Sequence, residues 1–205
     1  IIVKESNFVS IKKVVCANSS VANIFAYQSI IKVFNSSISS SQIGVYVEEC
    51  PIVTIIGNRI YNNSYIGFKL YKCVYTGVLH WIHLEPVGDK IAEVRIIGNY
   101  IQNNTYGIHM DFGPGYFNSF VRISNNEIKY NKVGIYANVT DGYVYENNFI
   151  ENEKHAIGGK DPMIKFYINI SKEMYGFLDE PVGNYWDDHD SSDPYEIFPG
   201  YYDYY

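Results

Sequence analysis

Residues 94–110 read VRIIGNYIQNNTYGIHM: an alternating apolar strand, then Asn99, then X-Ile at Ile101, then an Asn-rich polar stretch, then Gly-Ile and another strand. Alternation with a period of two marks a strand with one face turned inward, and Gly and Asn between such runs mark turns. The same series recurs as VTIIGNRIYNNSYIGFKL from Val53, VRISNNEIKYNKVGIYA from Val121 and YVYENNFIENEKHAIGG from Tyr143. A degenerate copy, IKVFNSSISSSQIGVYV, starts at Ile31. Anchored on the central isoleucines Ile38, Ile60, Ile101, Ile128 and Ile150, the spacings are 22, 41, 27 and 22 residues. The unit is therefore about 22 residues, with roughly 19 inserted after Leu70 and about five near Pro114.

Composition agrees with strands throughout. The 205 residues hold 28 Ile and 18 Val against 4 Leu and 6 Ala, the reverse of what helices are built from. That ratio excludes a helical bundle, and 47% hydrophobic residues exclude a disordered chain. The apolar runs are too short for a membrane-spanning helix. A net charge of −6, with Lys and Arg scattered, argues against nucleic-acid binding, which needs a basic stripe. Cys16, Cys50 and Cys73 form no CxxC pair, so they read as three buried thiols with no zinc site, one disulfide plus a thiol being the other arrangement.

A repeat of this length cannot bury its apolar face alone and must stack on its neighbours. The expected fold is all-β, a right-handed parallel β-helix of about nine coils over residues 1–182, with an insert at about 71–93 and a capping segment at 183–205. At roughly 4.8 Å per strand this is a rod about 40 Å long. A β-propeller needs 40 or more residues per blade, which the return to 22 rules out. Asn58, Asn99, Asn126 and Asn148 hold the place two residues before each anchor and are expected to form a ladder of stacked amides. Gly67, Gly107 and Gly134 mark a second turn, with Ala156 at that place in the last unit.

The IxGNxIxNNxxGI repeat resembles that of pectin-degrading β-helix enzymes and of NosD-type proteins. GNYWDDHDSSDPYEI, from Gly183 to Ile197, is similar to the "GNYW–acidic stretch–Pro-Tyr" ending of NosD-like archaeal surface proteins, although shorter and without their Gly-Asp-rich insert. The resemblance spans residues 31–197 and implies a solenoid; it does not imply one activity, because this fold hosts enzymes, binders and structural rods. Sugar hydrolases on the fold pair an acid with a base, and the candidates here are Asp111 and Glu85, with His80, His83 and His109 near them in repeat phase or in the insert. The Asn-Thr-Asp, Asp-Asp and Gly-His-Gly signatures of polygalacturonases are missing, and Arg95 and Arg122 in the two VRI segments fall inside the strand pattern. The sequence therefore favours a non-catalytic protein.

Asp187, Asp188, His189 and Asp190, with Asp193, form the densest acidic group and are the candidate Ca²⁺ or transition-metal ligands. No Gly lies between Asp187 and Pro199 for a Ca²⁺ loop, so a solvated structural loop is the favoured reading, with no bound cofactor. The NosD resemblance raises copper, yet the five His and three Met do not cluster beyond His80 and His83. Six Asn-X-Ser/Thr sequons, at Asn18, Asn35, Asn62, Asn103, Asn138 and Asn169, exceed the roughly two expected by chance and point to a glycosylated, extracellular or cell-surface chain. Ile1 opens the sequence with no signal peptide, which reads as a processed product or fragment. The 21 Tyr suit a polysaccharide-binding surface or packing, and the tail FPGYYDYY is expected to lie on its own solenoid or on a neighbour. With no helical cap ahead of the strand-like IIVKESNFVSIKKVV, the first coil is expected to dock head-to-tail on another copy, as in a filament or surface layer.

Overall fold

The computed structural model describes residues 1–73, 92–112, 119–138, 142–158, 164, 168–169, 181–189, 195–198 and 201–203. Its strands stack into three parallel sheets that the chain visits in rotation. Sheet A holds β1 (Ile2–Lys4), β4 (Ala22–Tyr27), β7 (Ile43–Glu48), β10 (Ile66–Tyr71), β13 (Tyr106–Asp111), β16 (Val133–Asn138) and β19 (Lys154–Gly158). Sheet B holds β2 (Val9–Lys12), β5 (Ile30–Phe34), β8 (Ile52–Ile56), β11 (Ala92–Ile97), β14 (Ser119–Ser124) and β17 (Gly142–Tyr145). Sheet C holds β3 (Val15–Ala17), β6 (Ser37–Ser39), β9 (Arg59–Tyr61), β12 (Tyr100–Gln102), β15 (Glu127–Lys129), β18 (Asn148–Ile150) and β22 (Tyr185–Trp186).

The fold is the expected parallel β-helix, but with six complete coils and a seventh begun by β19 and closed by β22, where about nine were expected. The difference lies at the A–B corner. One step of sheet B there takes 41 residues from Val53 to Val94, and the chain between β19 and β22 adds no strand to the three sheets among the described residues. Two antiparallel pairs stand outside the coils: β20 (Ile168–Asn169) with β21 (Pro181–Val182), and β23 (Tyr195–Phe198) with β24 (Tyr201–Asp203). The backbone of β23 lies beside β19, so that part of the tail is on its own solenoid.

The interior is filled by columns of identical or near-identical residues in register. Ile38, Ile60, Ile101, Ile128, Phe149 and Trp186 form the sheet C column, and all are fully buried. The last anchor is thus Phe149 and not Ile150. Most corners place one residue in the left-handed region, among them Gln28 and Glu49 after sheet A, Asn35, Gly57, Gly98 and Asn125 after sheet B, and Asn62, Asn103 and Tyr130 after sheet C. A lone left-handed residue turns the chain sharply, which is why Asn and Gly recur there.

Gly67, Gly107 and Gly134 are not at a turn. They lie inside β10, β13 and β16 with ordinary negative φ, and what demands glycine is close approach. A Cβ on Gly107 would sit 2.6 Å from the carbonyl oxygen of Gly134 and 3.2 Å from the Asn131 amide. Ala156 does not continue this column: it pairs with Ile135, which places His155 over Gly134.

Directly after the left-handed residues, inward polar side chains stack into ladders. At the B–C corner these are Ser36, Asn58, Asn99, Asn126, Asn147 and Asn184. Each backbone N–H and side-chain Nδ2 from Asn58 to Asn126 donates to the Oδ1 of the next amide at 2.8–3.1 Å. Asn148, expected on this ladder, is exposed, because the step from Asn126 takes 21 residues and brings Asn147 into place. A second ladder, Ser41, Asn63, Asn104, Asn131 and Asn152, fills the C–A corner. At the A–B corner Ser29 N–H points at Cys50 Sγ at 3.3 Å, and Cys73 Sγ lies 3.7 Å from the Val47 carbonyl. Cys50 and Cys73 are therefore free, buried members of a corner stack; Cys16 is free and half-buried. Burial pushes the Cys50 thiol up to about 12, and raises the Cys73 thiol as well.

Candidate functional site

Among the described residues the glycine column ends in His155, on the last strand of sheet A. Its imidazole is buried, with 4% of the side chain exposed, and its edge faces the stacked rings of Phe149 and Trp186, themselves 4.2 Å apart and 10° from parallel. Trp186 ends β22, and the turn that follows brings two carboxylates back over the ring. Nε2 of His155 lies 3.0 Å from Asp187 Oδ1 and 3.1 Å from Asp188 Oδ1. The other Asp187 oxygen accepts the Glu151 N–H at 2.7 Å. On the far side of the ring, Nδ1 is 3.3 Å from Asn152 Nδ2, the last amide of the C–A ladder.

The sequence groups Asp187 and Asp188 with His189 and Asp190 as candidate ligands, in a loop whose favoured reading is structural. Among the described residues they converge on His155 instead, while the His189 backbone N–H bonds the Trp186 carbonyl at 3.2 Å. Asp190 and Asp193 lie outside the described residues. His155 was missed because the last unit was aligned one residue late, on Ile150. Alignment on the ladder asparagines would have shown a histidine in a glycine column.

A second surface is the outer face of sheet A. Phe25 and Tyr46 pack at 5.2 Å, Lys69 Nζ sits 4.5 Å above the Tyr46 ring, and His109 stacks on Tyr136 at 4.5 Å and 19°. Tyr106 meets His109 edge-on at 5.3 Å and Tyr65 at 5.7 Å. Burial, with Lys69 adding to it, holds His109 below the usual histidine range, and its Nδ1 is buried with no hydrogen-bond partner. Tyr46 donates to Glu48 Oε2 at 2.8 Å, and burial together with that bond holds its phenol above the ordinary range. Asp111 is on this face, accepting from Asn138 Nδ2 at 2.9 Å; its in-register neighbours are Tyr71 and Asn138, neither of them a carboxylate. Glu85, His80 and His83 lie outside the described residues.

The sequons follow the corners. Asn18, Asn35, Asn62 and Asn103 are exposed and left-handed, with φ between 48° and 61°, and the last three are each followed by a ladder residue, Ser36, Asn63 or Asn104. Turn chemistry thus supplies a reason for these asparagines independent of glycosylation. Asn138 is half-buried on β16, and only the backbone of Asn169 is described.

Family comparison decides the relationship: the model for NosD, described as a periplasmic copper-binding protein, matches residues 86–191, more than half of the chain. The chain belongs to the NosD family. No curated protein and no solved structure matches it. Of the described residues, His155, Asp187 and Asp188 are the one group of three or more His, Cys, Asp or Glu side chains gathered closely enough to hold an ion. Their Nε2–oxygen distances would suit adjacent corners of a coordination shell. Among the described residues no cysteine joins this group. The softer sulfur donors Cys50, Cys73 and Met110 are buried in the interior, the two thiols held protonated by burial. His155 meets the two carboxylates through Nε2 and the Asn152 amide through Nδ1. No helix among the described residues is long and apolar enough to cross a membrane.

Proposed function

We propose that this NosD-family chain is a non-catalytic structural solenoid working outside the cytoplasm, whose first coil docks on another copy and so builds a filament or surface layer. The first coil carries this reading. Among the described residues the outward-lying edges of β1, β2 and β3 have no strand beside them, and around them Ile2 is 73%, Phe8 58%, Val15 82% and Val21 57% exposed. Unpaired strand edges flanked by apolar side chains are a template for another β-coil. A head-to-tail contact of this kind is heterologous and propagates. The family's description as periplasmic supports the compartment. Asn18, Asn35, Asn62 and Asn103 are accessible for glycosylation, which intact-mass measurement of the native protein would read directly. Sizing and negative-stain microscopy test the assembly: end-to-end oligomers are expected, and a monodisperse monomer at high concentration would sink the idea.

A second reading, polysaccharide binding, is favoured by the ring-lined outer face of sheet A, since exposed aromatic rings stack on sugar faces. Saturable binding on a glycan array, lost on Tyr136→Ala, is its expected signature; an array without any ligand would count against it.

A further inference from the structure

We propose that the asparagine ladder of the C–A corner dictates which nitrogen of His155 carries the proton, and thereby makes His155, Asp187 and Asp188 a hydrogen-bonded closure of the last coil and not a metal-binding centre. The direction of the ladder admits no ambiguity. The backbone N–H of Ser41, Asn63, Asn104 and Asn131 each points at the side-chain oxygen of the next amide, at 3.3, 3.1, 3.0 and 3.0 Å. A backbone N–H can only donate, so each of those side-chain atoms is the oxygen, and each amide is fixed in one orientation. Asn152 Oδ1 therefore faces Asn131, accepting from its N–H and its Nδ2, both at 3.0 Å. Asn152 Nδ2 is left to face the Ile128 carbonyl at 2.8 Å and His155 Nδ1 at 3.3 Å.

An amide NH₂ opposite Nδ1 requires a lone pair there. The ring proton then sits on Nε2, directed between Asp187 Oδ1 and Asp188 Oδ1. One N–H thus ties both carboxylates of the turn after Trp186 to the floor of the last coil. A cation among the three groups would need the Nε2 lone pair, and the displaced proton on Nδ1 would point at the Asn152 NH₂. Turning Asn152 over to receive it would aim NH₂ at two Asn131 donors and set Oδ1 against the Ile128 carbonyl oxygen. Histidines that bind metals have the opposite arrangement, with the second nitrogen donating to a carboxylate, a carbonyl or water.

Long-range ¹H–¹⁵N NMR of the histidine rings in the intact chain tests this, with His155→Gln supplying the assignment. A protonated Nε2 and a bare Nδ1 are expected, unchanged by one equivalent of Zn²⁺ or Cu²⁺. A proton on Nδ1, or loss or displacement of the His155 signals on adding either metal, would overturn the proposal. Asn152→Asp places an acceptor opposite Nδ1, so it should move the proton there and raise zinc affinity at His155 at least tenfold; no gain over the parent chain also overturns it. Should that variant fail to fold, the spectra of the unaltered chain decide.

Discussion

The two ends of the solenoid are built from the same repeat and finished differently. In the first coil the side chains around the end, Ile2, Phe8 and Val15, remain apolar and exposed. Toward the other end the repeating positions are exchanged for larger and more polar groups. The isoleucine column becomes Phe149 and then Trp186, and the glycine column becomes His155 held by two aspartates. These exchanges fall at positions the repeat already supplies. Gly183-Asn184-Tyr185-Trp186 shows it most directly: Asn184 accepts the ladder bond from Asn147 at 2.9 Å, as Asn99 does from Asn58 at 3.1 Å, and Trp186 stands where Ile101 stands.

The largest break in this contrast should come from Trp186→Ala, which removes the fully buried end of the core and should cost about 3–5 kcal/mol in urea unfolding. A loss under about 1 kcal/mol would mean that the last coil is secured elsewhere. Asn126→Ala, in the middle of the rod, strips the acceptor from the N–H and the amide of Asn99 and should cost roughly 2–4 kcal/mol. Gly107→Ala forces a methyl against the Gly134 carbonyl and should cost about 1–3 kcal/mol.

Alkaline pH probes the corner stack without mutation. Burial raises the folded-state value of the Cys50 thiol, so the stability it confers is whole below the ordinary thiol range and drains away as pH climbs toward about 12. Cys50→Ser should flatten that part of the pH profile. The smallest effect on folding belongs to the first coil: Ile2→Ser with Val15→Ser should leave stability within about 0.5 kcal/mol, while abolishing end-to-end association by sizing.

The sequence carried the fold through spacing. Period-two alternation and the recurring Gly-Asn-X-Ile fixed strands, corners and the B–C ladder up to Asn126. The errors in the last unit followed from register. In the last unit Phe149 replaces isoleucine and the coil is one residue shorter, so anchoring on Ile150 displaced Asn147 to Asn148 and concealed His155 behind Ala156. The second ladder was hidden in the NN pairs at Asn62-Asn63 and Asn103-Asn104, where one residue turns the chain outward and the next bonds inward. Sequence shows both as asparagine; only φ and burial separate them. The glycines misled for a related reason, because a residue required by a neighbour's carbonyl looks the same in one dimension as one required by a left-handed turn.

Axial rise and chain length are uncoupled in this molecule. From Asn58 to Asn99 the chain spends 41 residues, from Asn99 to Asn126 it spends 27, and from Ser36 to Asn58 only 22, yet each advances the ladder by one rung with an N–H bond of 2.8–2.9 Å. The surplus leaves at the same corner, between sheets A and B, and re-enters in register. That corner is therefore a natural port for grafting: foreign segments introduced there would hang from the rod at a pitch of one coil, without the coils above or below registering their length.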